Sequence, residues 1–193
     1  MARIVMSGPQ NITLDGVVED PDGAEGSRHG DWFRRYGGPD LEQWNQLALR
    51  EALTAEAWVL GRRSYEFFGA RWQDRTGPLA DRLNSIPKYV VSSSLSAPDW
   101  NNAKVLTGDA VTEVARLKSA FDGEIVIPAS YRLGRTLIDH DLVDELRLVV
   151  FPVVLGEGER FFDSTIRNKP VQLLECSRLG DRLLYVRYGL RPA

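Results

Sequence analysis

The chain has 193 residues, enough for one large α/β domain with its own core, and at 43% hydrophobic and 26% charged it has the composition of a globular rather than a disordered protein. A formal charge of −3 gives no reason to expect a nucleic-acid or anionic-membrane partner, and one cysteine, Cys176, excludes an internal disulfide and a cysteine-based zinc cage. With only His29 and His140 no metal centre is expected, and with no signal-peptide core in MARIVMSGP and no run of membrane-spanning length the expected location is cytoplasmic.

Arg3 to Met6 opens a strand that Ser7-Gly8-Pro9 interrupts, because proline cannot donate to a ladder; it bulges there and resumes at Ile12-Thr13-Leu14 before an Asp15-Gly16 turn. Val17 to Gly38 is a long Asp-, Gly- and Arg-rich loop carrying Trp32, Phe33 and Tyr36, which reads either as a lid closing over something flat or as a loop anchored to the core. Pro39-Asp40 opens a helix whose Leu41, Trp44, Leu47/Ala48, Ala52 and Ala55 recur at helical spacing. A strand at Trp58–Leu60 follows, then a helix, a turn-rich patch, a brief helix from Pro78, and a buried strand Lys88–Val91 running into Ser92-Ser93-Ser94. Lys104-Val105-Leu106 reads as a strand, and Asp109 caps an amphipathic helix bearing Val111, Val114, Leu117 and Phe121. Glu124–Ile127 is the next strand, Pro128-Ala129-Ser130 turns into a helix with Leu133, Leu137 and Ile138, and Leu142–Pro152 supplies a long strand. Val171–Arg178 and Arg182–Leu190 form a terminal β-hairpin about Leu179-Gly180-Asp181.

The stretch from Ala57 to Phe68 carries the most chemistry. An apolar strand stops at Gly61, exposes Arg62 and Arg63, and enters a helix with Ser64 read as its N-cap. Free N–H groups at a helix start bind anions, and guanidinium groups match phosphate oxygens two-pronged; the plain alternative is a strand–helix junction with solvated arginines. Strands alternating with helices argue a mostly parallel sheet covered on both faces, and ligands collect at the carboxyl ends of such strands. Asp15-Gly16, Gly61 to Ser64, Ser92 to Ser94 and Ala129-Ser130 all fall at such ends, which favours one shared crevice.

Five segments, in order, resemble the dihydrofolate-reductase fold and more closely the RibD C-terminal family, the reductase domain of the riboflavin-biosynthesis deaminase–reductase. They are Thr13–Val18, Leu60–Glu66, Arg135–Ile138, Leu142–Leu146 and Pro152–Phe162. The resemblance implies an α/β three-layer fold with a mostly parallel central sheet, flanking helices and a C-terminal antiparallel hairpin, spanning 1–193 as one domain. It implies a bound NADPH and hydride transfer to a C=N or C=O carbon of a pyrimidine- or pterin-like heterocycle. By position Gly61, Arg62, Arg63 and Ser64 hold its pyrophosphate and 2′-phosphate region, Ser92, Ser93 and Ser94 the adenosine ribose and 2′-phosphate, and Leu14, Asp15 and Gly16 border nicotinamide and substrate. Because such domains often pair, a homodimer is implied as well, although no residue feature establishes it.

Family members carry a glycine-rich turn where this chain has Pro128-Ala129-Ser130-Tyr131, so the Cβ of Ala129 and the bulk of Tyr131 stand on the expected pyrophosphate path. Asp15 reads as a substrate-orienting or proton-relaying acid, or as an ordinary Asp-Gly turn. Asp40 reads as a helix-borne acid facing the substrate ring, as in dihydrofolate reductases, or as N-terminal charge stabilisation. Trp32 and Phe151 are candidate pocket walls, with core packing as the alternative, and Gly156-Glu157-Gly158 reads as a turn. A reductase of 5-amino-6-(5-phosphoribosylamino)uracil type is the expected activity. The alternatives are a true dihydrofolate reductase and a non-catalytic binding protein that has exchanged the cofactor for another ligand.

Overall fold

The apolar runs pair into one eight-stranded sheet in the computed structural model, which describes residues 1–163 and 166–190. The strands are β1 (Arg3–Thr13), β2 (Ala55–Gly61), β3 (Lys88–Val91), β4 (Ala103–Leu106), β5 (Glu124–Ile127), β6 (Glu145–Phe151), β7 (Gln172–Leu179) and β8 (Leu183–Gly189). Their order is β4-β3-β2-β5-β1-β6-β8-β7, and β8 alone runs antiparallel to its neighbours. The helices are α1 (Trp32–Gly37), α2 (Leu41–Thr54), α3 (Arg62–Trp72), α4 (Pro78–Ser85), α5 (Ala110–Ala120) and α6 (Tyr131–Asp139). Ile4, Met6, Ile125 and Ile127 face Val114 and Leu117 of α5 and Leu137 of α6, while Val5, Trp58, Leu60 and Val126 face Ala52 of α2, Tyr65 of α3 and Leu83 of α4. The two-residue period of each strand thus feeds two cores, which is why the strands read as continuous apolar runs.

The expected interruption of β1 is present as a register break between Met6 and Gln10: before it β1 pairs with β5, and beyond it with β6 alone. Gly8 sits at φ 104, where a Cβ would stand 2.6 Å from the Cβ of Pro128, so only glycine lets β1 pass this close to the end of β5. The break is held from α2. The Glu51 carboxylate accepts from the Ser7 hydroxyl, from the Gly8 N–H at 3.2 Å and from the Tyr185 hydroxyl of β8 at 2.9 Å.

Three local expectations change. Pro39 and Asp40 lie in a 3-10 turn, Gly38–Asp40, and α2 proper begins at Leu41. Ser64 is not the N-cap of α3: the helix starts at Arg62, and the cap position is Gly61, still extended (φ −73, ψ 158) because it continues the ladder with Val91 of β3. The loop aromatics are anchors, since Trp32 opens α1, is 1% exposed, meets Phe151 edge-on at 5.2 Å and donates its indole N–H to the Glu19 carbonyl.

Lys88 starts β3 fully buried, donating to the carbonyls of Ile86 (2.9 Å) and Asn101 (2.8 Å) with its ammonium 4.3 Å from the Trp100 ring centre. Burial, with the charge of Arg82 nearby, lowers its pKa from the usual 10.5 to about 8. The folded state therefore bears a buried charge below pH 8 and sheds it before the unfolded chain does. Relative to Lys88→Met, the protein should gain up to about 3 kcal/mol of stability as pH rises from 8 to 10.5, measured by denaturant titration across that window.

Candidate active site

Strands β3, β2, β5 and β1 are adjacent and parallel, so Ser92–Ser94, Gly61–Ser64 and Pro128–Tyr131 emerge along one edge of the sheet. Leu14-Asp15-Gly16 lies farther out, because β1 continues beyond β5. The first three groups interlock. The Gly61 N–H donates to the Ser130 Oγ at 3.0 Å, and the Ser130 hydroxyl donates to the Pro128 carbonyl at 3.1 Å, stitching the end of β2 to the end of β5. Arg62 Nη1 donates to the Ser94 Oγ at 2.8 Å, while its Nε meets Glu66 at 2.7 Å. The Ser92 Oγ accepts from the N–H groups of Ser94 (3.2 Å) and Leu95 (3.0 Å), closing the turn after β3. Arg62, Ser92, Ser93, Ser94, Thr107 and Gly108 line an open cleft of about 430 Å³.

Ser64 lies in the first turn of α3. Arg63 points to the long loop, where Glu25 meets its guanidinium at 3.3 Å; Arg71 of α3 pairs with Asp22 of the same loop. Ala129 holds φ 47, the left-handed conformation that glycine takes without strain. The turn therefore keeps a glycine-like backbone with a Cβ attached. The Tyr131 hydroxyl donates to Glu159 at 2.9 Å, and burial together with that carboxylate pushes its pKa up to about 12. Glu159 is itself held at about 2, chiefly by the Arg132 guanidinium at 2.6 Å, with Tyr131 and Arg135 assisting.

Asp15 is committed to its surroundings. Burial would raise its pKa, but donation from the Thr13 hydroxyl (2.7 Å) and from the N–H groups of Gly156 (2.9 Å) and Leu155 (3.2 Å) outweighs this and lowers it. The ionised carboxylate thus clasps the turn at Gly156-Glu157-Gly158. Leu14 donates its N–H to Val153 at 2.9 Å with its side chain 67% exposed, and Gly16 turns the chain at φ 83.

Asp40, Trp32 and Phe151 are not brought to the Arg62–Ser94 cleft. Asp40 is buried and accepts from the N–H groups of Asp181 (3.0 Å) and Arg182 (2.6 Å), holding the β7–β8 turn; burial opposes ionisation, yet these bonds keep its pKa low. Trp32 and Phe151 pack in a third core with Leu47 and Tyr185.

Glu51 is the polar residue that sequence reasoning missed. It borders a small, partly open cavity of about 30 Å³ between the sheet and helices α2, α3 and α4, with Trp44, Trp58, Phe68 and Trp72 around it. Its spacing from Trp44 and Ala48 places it on the apolar stripe of α2, and an acid on such a stripe is the signal that could have exposed it. Among the described residues no group of three or more His, Cys, Asp or Glu could hold a metal ion, and no helix is long and apolar enough to cross a membrane.

Adjacent parallel strand ends beside a helix start, closed by an antiparallel hairpin, define a dihydrofolate-reductase-like fold. The sequence profile of the RibD C-terminal domain matches residues 10–185, and the chain belongs to that family. YyaP of Bacillus subtilis, itself uncharacterised, is 30% identical over 156 residues, 78% of this chain and 76% of that protein. A putative riboflavin biosynthesis protein from Shewanella sp. PV-4 superposes with a TM-score of 0.76 at 22% identity over 100% of both chains. Dihydrofolate reductase from Enterococcus faecalis, solved with NADP(H), gives 0.60 at 17% identity over 98% of this chain and 95% of that one. The chain thus has a reductase-type fold whose neighbours include an NADP(H) complex.

The left-handed backbone of Ala129 generates a prediction. A non-glycine residue there costs about 1–2 kcal/mol in strain, against about 0.5–1 kcal/mol of extra unfolded-state entropy for glycine. The net gain of about 0.5–1 kcal/mol means that Ala129→Gly should raise Tm by roughly 1–4 °C, read by calorimetry.

Proposed function

We propose that the protein is an NADPH-dependent reductase acting on a small pyrimidine- or pterin-like heterocycle, in the manner of 5-amino-6-(5-phosphoribosylamino)uracil reductases. The observation that carries the reading is the Arg62–Ser94 pair beside the start of α3, in an open cleft rich in hydroxyl groups. A guanidinium, serine hydroxyls and free helix N–H groups form a donor set suited to phosphate, and they are local cations and dipoles in a chain of net charge −3. These residues fit NADPH. Arg62, Ser93 and Ser94 would hold the 2′-phosphate region, and the backbone from Gly61 to Ser64 with Arg63 the pyrophosphate, Glu25 giving up Arg63 in exchange. Leu14 to Gly16 would border the nicotinamide. When bound, NADPH supplies the hydride; the chain binds, orients and excludes water.

The proposal gives Asp15 a positioning role. Its lowered pKa keeps it ionised at neutral pH, so it is suited to fixing the 153–160 turn rather than to donating a proton. Asp40 is read as fixing the β7–β8 turn rather than as facing a substrate ring. The case for a non-catalytic binder weakens, because Ala129 retains the backbone that a close-approach turn needs. The enzyme is read as cytoplasmic, with small molecules as its partners.

At a hundredfold excess over its dissociation constant NADPH should stabilise the protein by about 2.7 kcal/mol, seen as a rise in Tm. No shift with NADPH or NADH would contradict the reading. Arg62→Ala should weaken NADPH binding roughly 10- to 100-fold, the worth of one charged hydrogen bond, while the free protein's stability stays close to wild type because Arg62 is half exposed. NADPH oxidation on adding dihydrofolate would instead favour a true dihydrofolate reductase.

A further inference from the structure

The loop that brings Glu25 to Arg63 is a built finger rather than a slack connection. Its ends meet, because the Asp31 N–H donates to the Asp20 carbonyl at 3.2 Å. Between them the Asp20 carboxylate accepts from the N–H groups of Glu25 (2.9 Å) and Ser27 (2.8 Å), with Asp20 only 2% exposed. Gly30 packs against that carboxylate so closely that a Cβ there would stand 2.5 Å from Asp20 Oδ2. Compact surface loops whose ends meet and whose side chains pack inward are frequently functional.

The finger is fastened both to α3 and to the turn after β6. Asp22 pairs with Arg71 of α3. At the turn, the Glu19 carboxylate accepts the Glu159 N–H at 3.2 Å, and His29 meets Glu157 at 3.0 Å. Its tip sets the Glu25 carboxylate on the Arg63 guanidinium at 3.3 Å. Arg63 lies near the turn after β5 as well: burial and Glu159 push the Tyr131 pKa up to about 12, against the charges of Arg132 and Arg63.

A carboxylate and a phosphate present similar oxygen pairs to a guanidinium, so one occupies it at the expense of the other. An ordinary exposed pair is weak partly because two long side chains must be held in one geometry. Here the finger has already fixed the backbone beneath one of the partners, which spares part of that ordering.

We propose that Glu25 is an autoinhibitory stand-in for phosphate: the finger holds Arg63 in an ion pair that a diphosphate must displace. That the diphosphate belongs to NADPH rests on the reductase reading; the competition for Arg63 does not. Binding exchanges one ion pair for another, so it depends on salt less steeply than a free Arg63 would dictate. The Asp22–Arg71 pair is the less exposed of the two and keeps the finger attached while its tip lets go.

Calorimetric titration of the whole protein with NADPH and with inorganic pyrophosphate reads the exchange, at about 0.1 M and about 1 M salt, where the Debye length is roughly 10 and 3 Å. At the lower salt Glu25→Gln should bind both ligands about threefold more tightly than wild type. At the higher salt that gain should fall to less than half. In an Arg63→Ala background Glu25→Gln should gain nothing, because the pair it removes is already gone. Unchanged or weaker binding by Glu25→Gln at the lower salt overturns the proposal. So does a gain that survives intact without Arg63, which marks general charge repulsion. If the wild type binds no NADPH while pyrophosphate shows the Glu25 gain through Arg63, the reductase reading fails and the latch stands. NADPH binding without that gain sinks only the latch, and no binding of either ligand to any variant sinks both.

Discussion

The layout of the strand ends depends on how Glu51 holds the break in β1. A carboxylate 4% exposed is tolerable only when hydrogen-bonded, and Glu51 takes its donors from Ser7, Gly8 and Tyr185, joining α2 to the central strand and to β8. With the break fixed, β1 leaves the end of β5 after Met6 and pairs onward with β6. The ends of β2 and β5 are then free to meet through Gly61 and Ser130, and a chamber is left beneath α2. One buried acid thus ties α2, the break in β1 and strand β8 together.

The electrostatics of the edge are local and largely self-compensated. Glu25 occupies Arg63, Asp22 occupies Arg71, and Glu66 shares Arg62 with Ser94. The Arg62–Glu66 and Arg63–Glu25 pairs are exposed and individually weak, so a ligand phosphate can exchange with them at small cost. The Asp20 carboxylate, accepting from the N–H groups of Glu25 (2.9 Å) and Ser27 (2.8 Å), fixes the shape of the loop that delivers Glu25 and Asp22. The loop reaches the arginines because its aromatic end, Trp32 on Phe151, is locked into the third core.

Most of the architecture was legible because it rests on local periodicity: the bulge at Ser7–Pro9, the parallel run of strands, the Asp109 cap and the terminal hairpin all follow from neighbouring residues. The departures come from partners distant in sequence. Ser64 looked like a cap until Gly61, bonded to Ser130 69 residues away, kept the strand extended to the helix start. Asp40 looked like a site acid, but its partners are the N–H groups of a hairpin turn 141 and 142 residues downstream. Glu51 escaped notice for the same reason, since Tyr185 lies 134 residues away. Ala129 was read as a lost glycine; composition could not reveal that the backbone would keep a positive φ and carry the Cβ outward to an exposed position.

The central claim is that the strand-end crevice is a nicotinamide-nucleotide site. A crystal of the protein soaked with NADPH tests it most directly. The account predicts nucleotide density with the 2′-phosphate at Arg62 and Ser93–Ser94 and the pyrophosphate along Gly61–Ser64 and the Ala129-Ser130 turn. Density elsewhere, or an Arg63–Glu25 pair still intact at saturating NADPH, would contradict it.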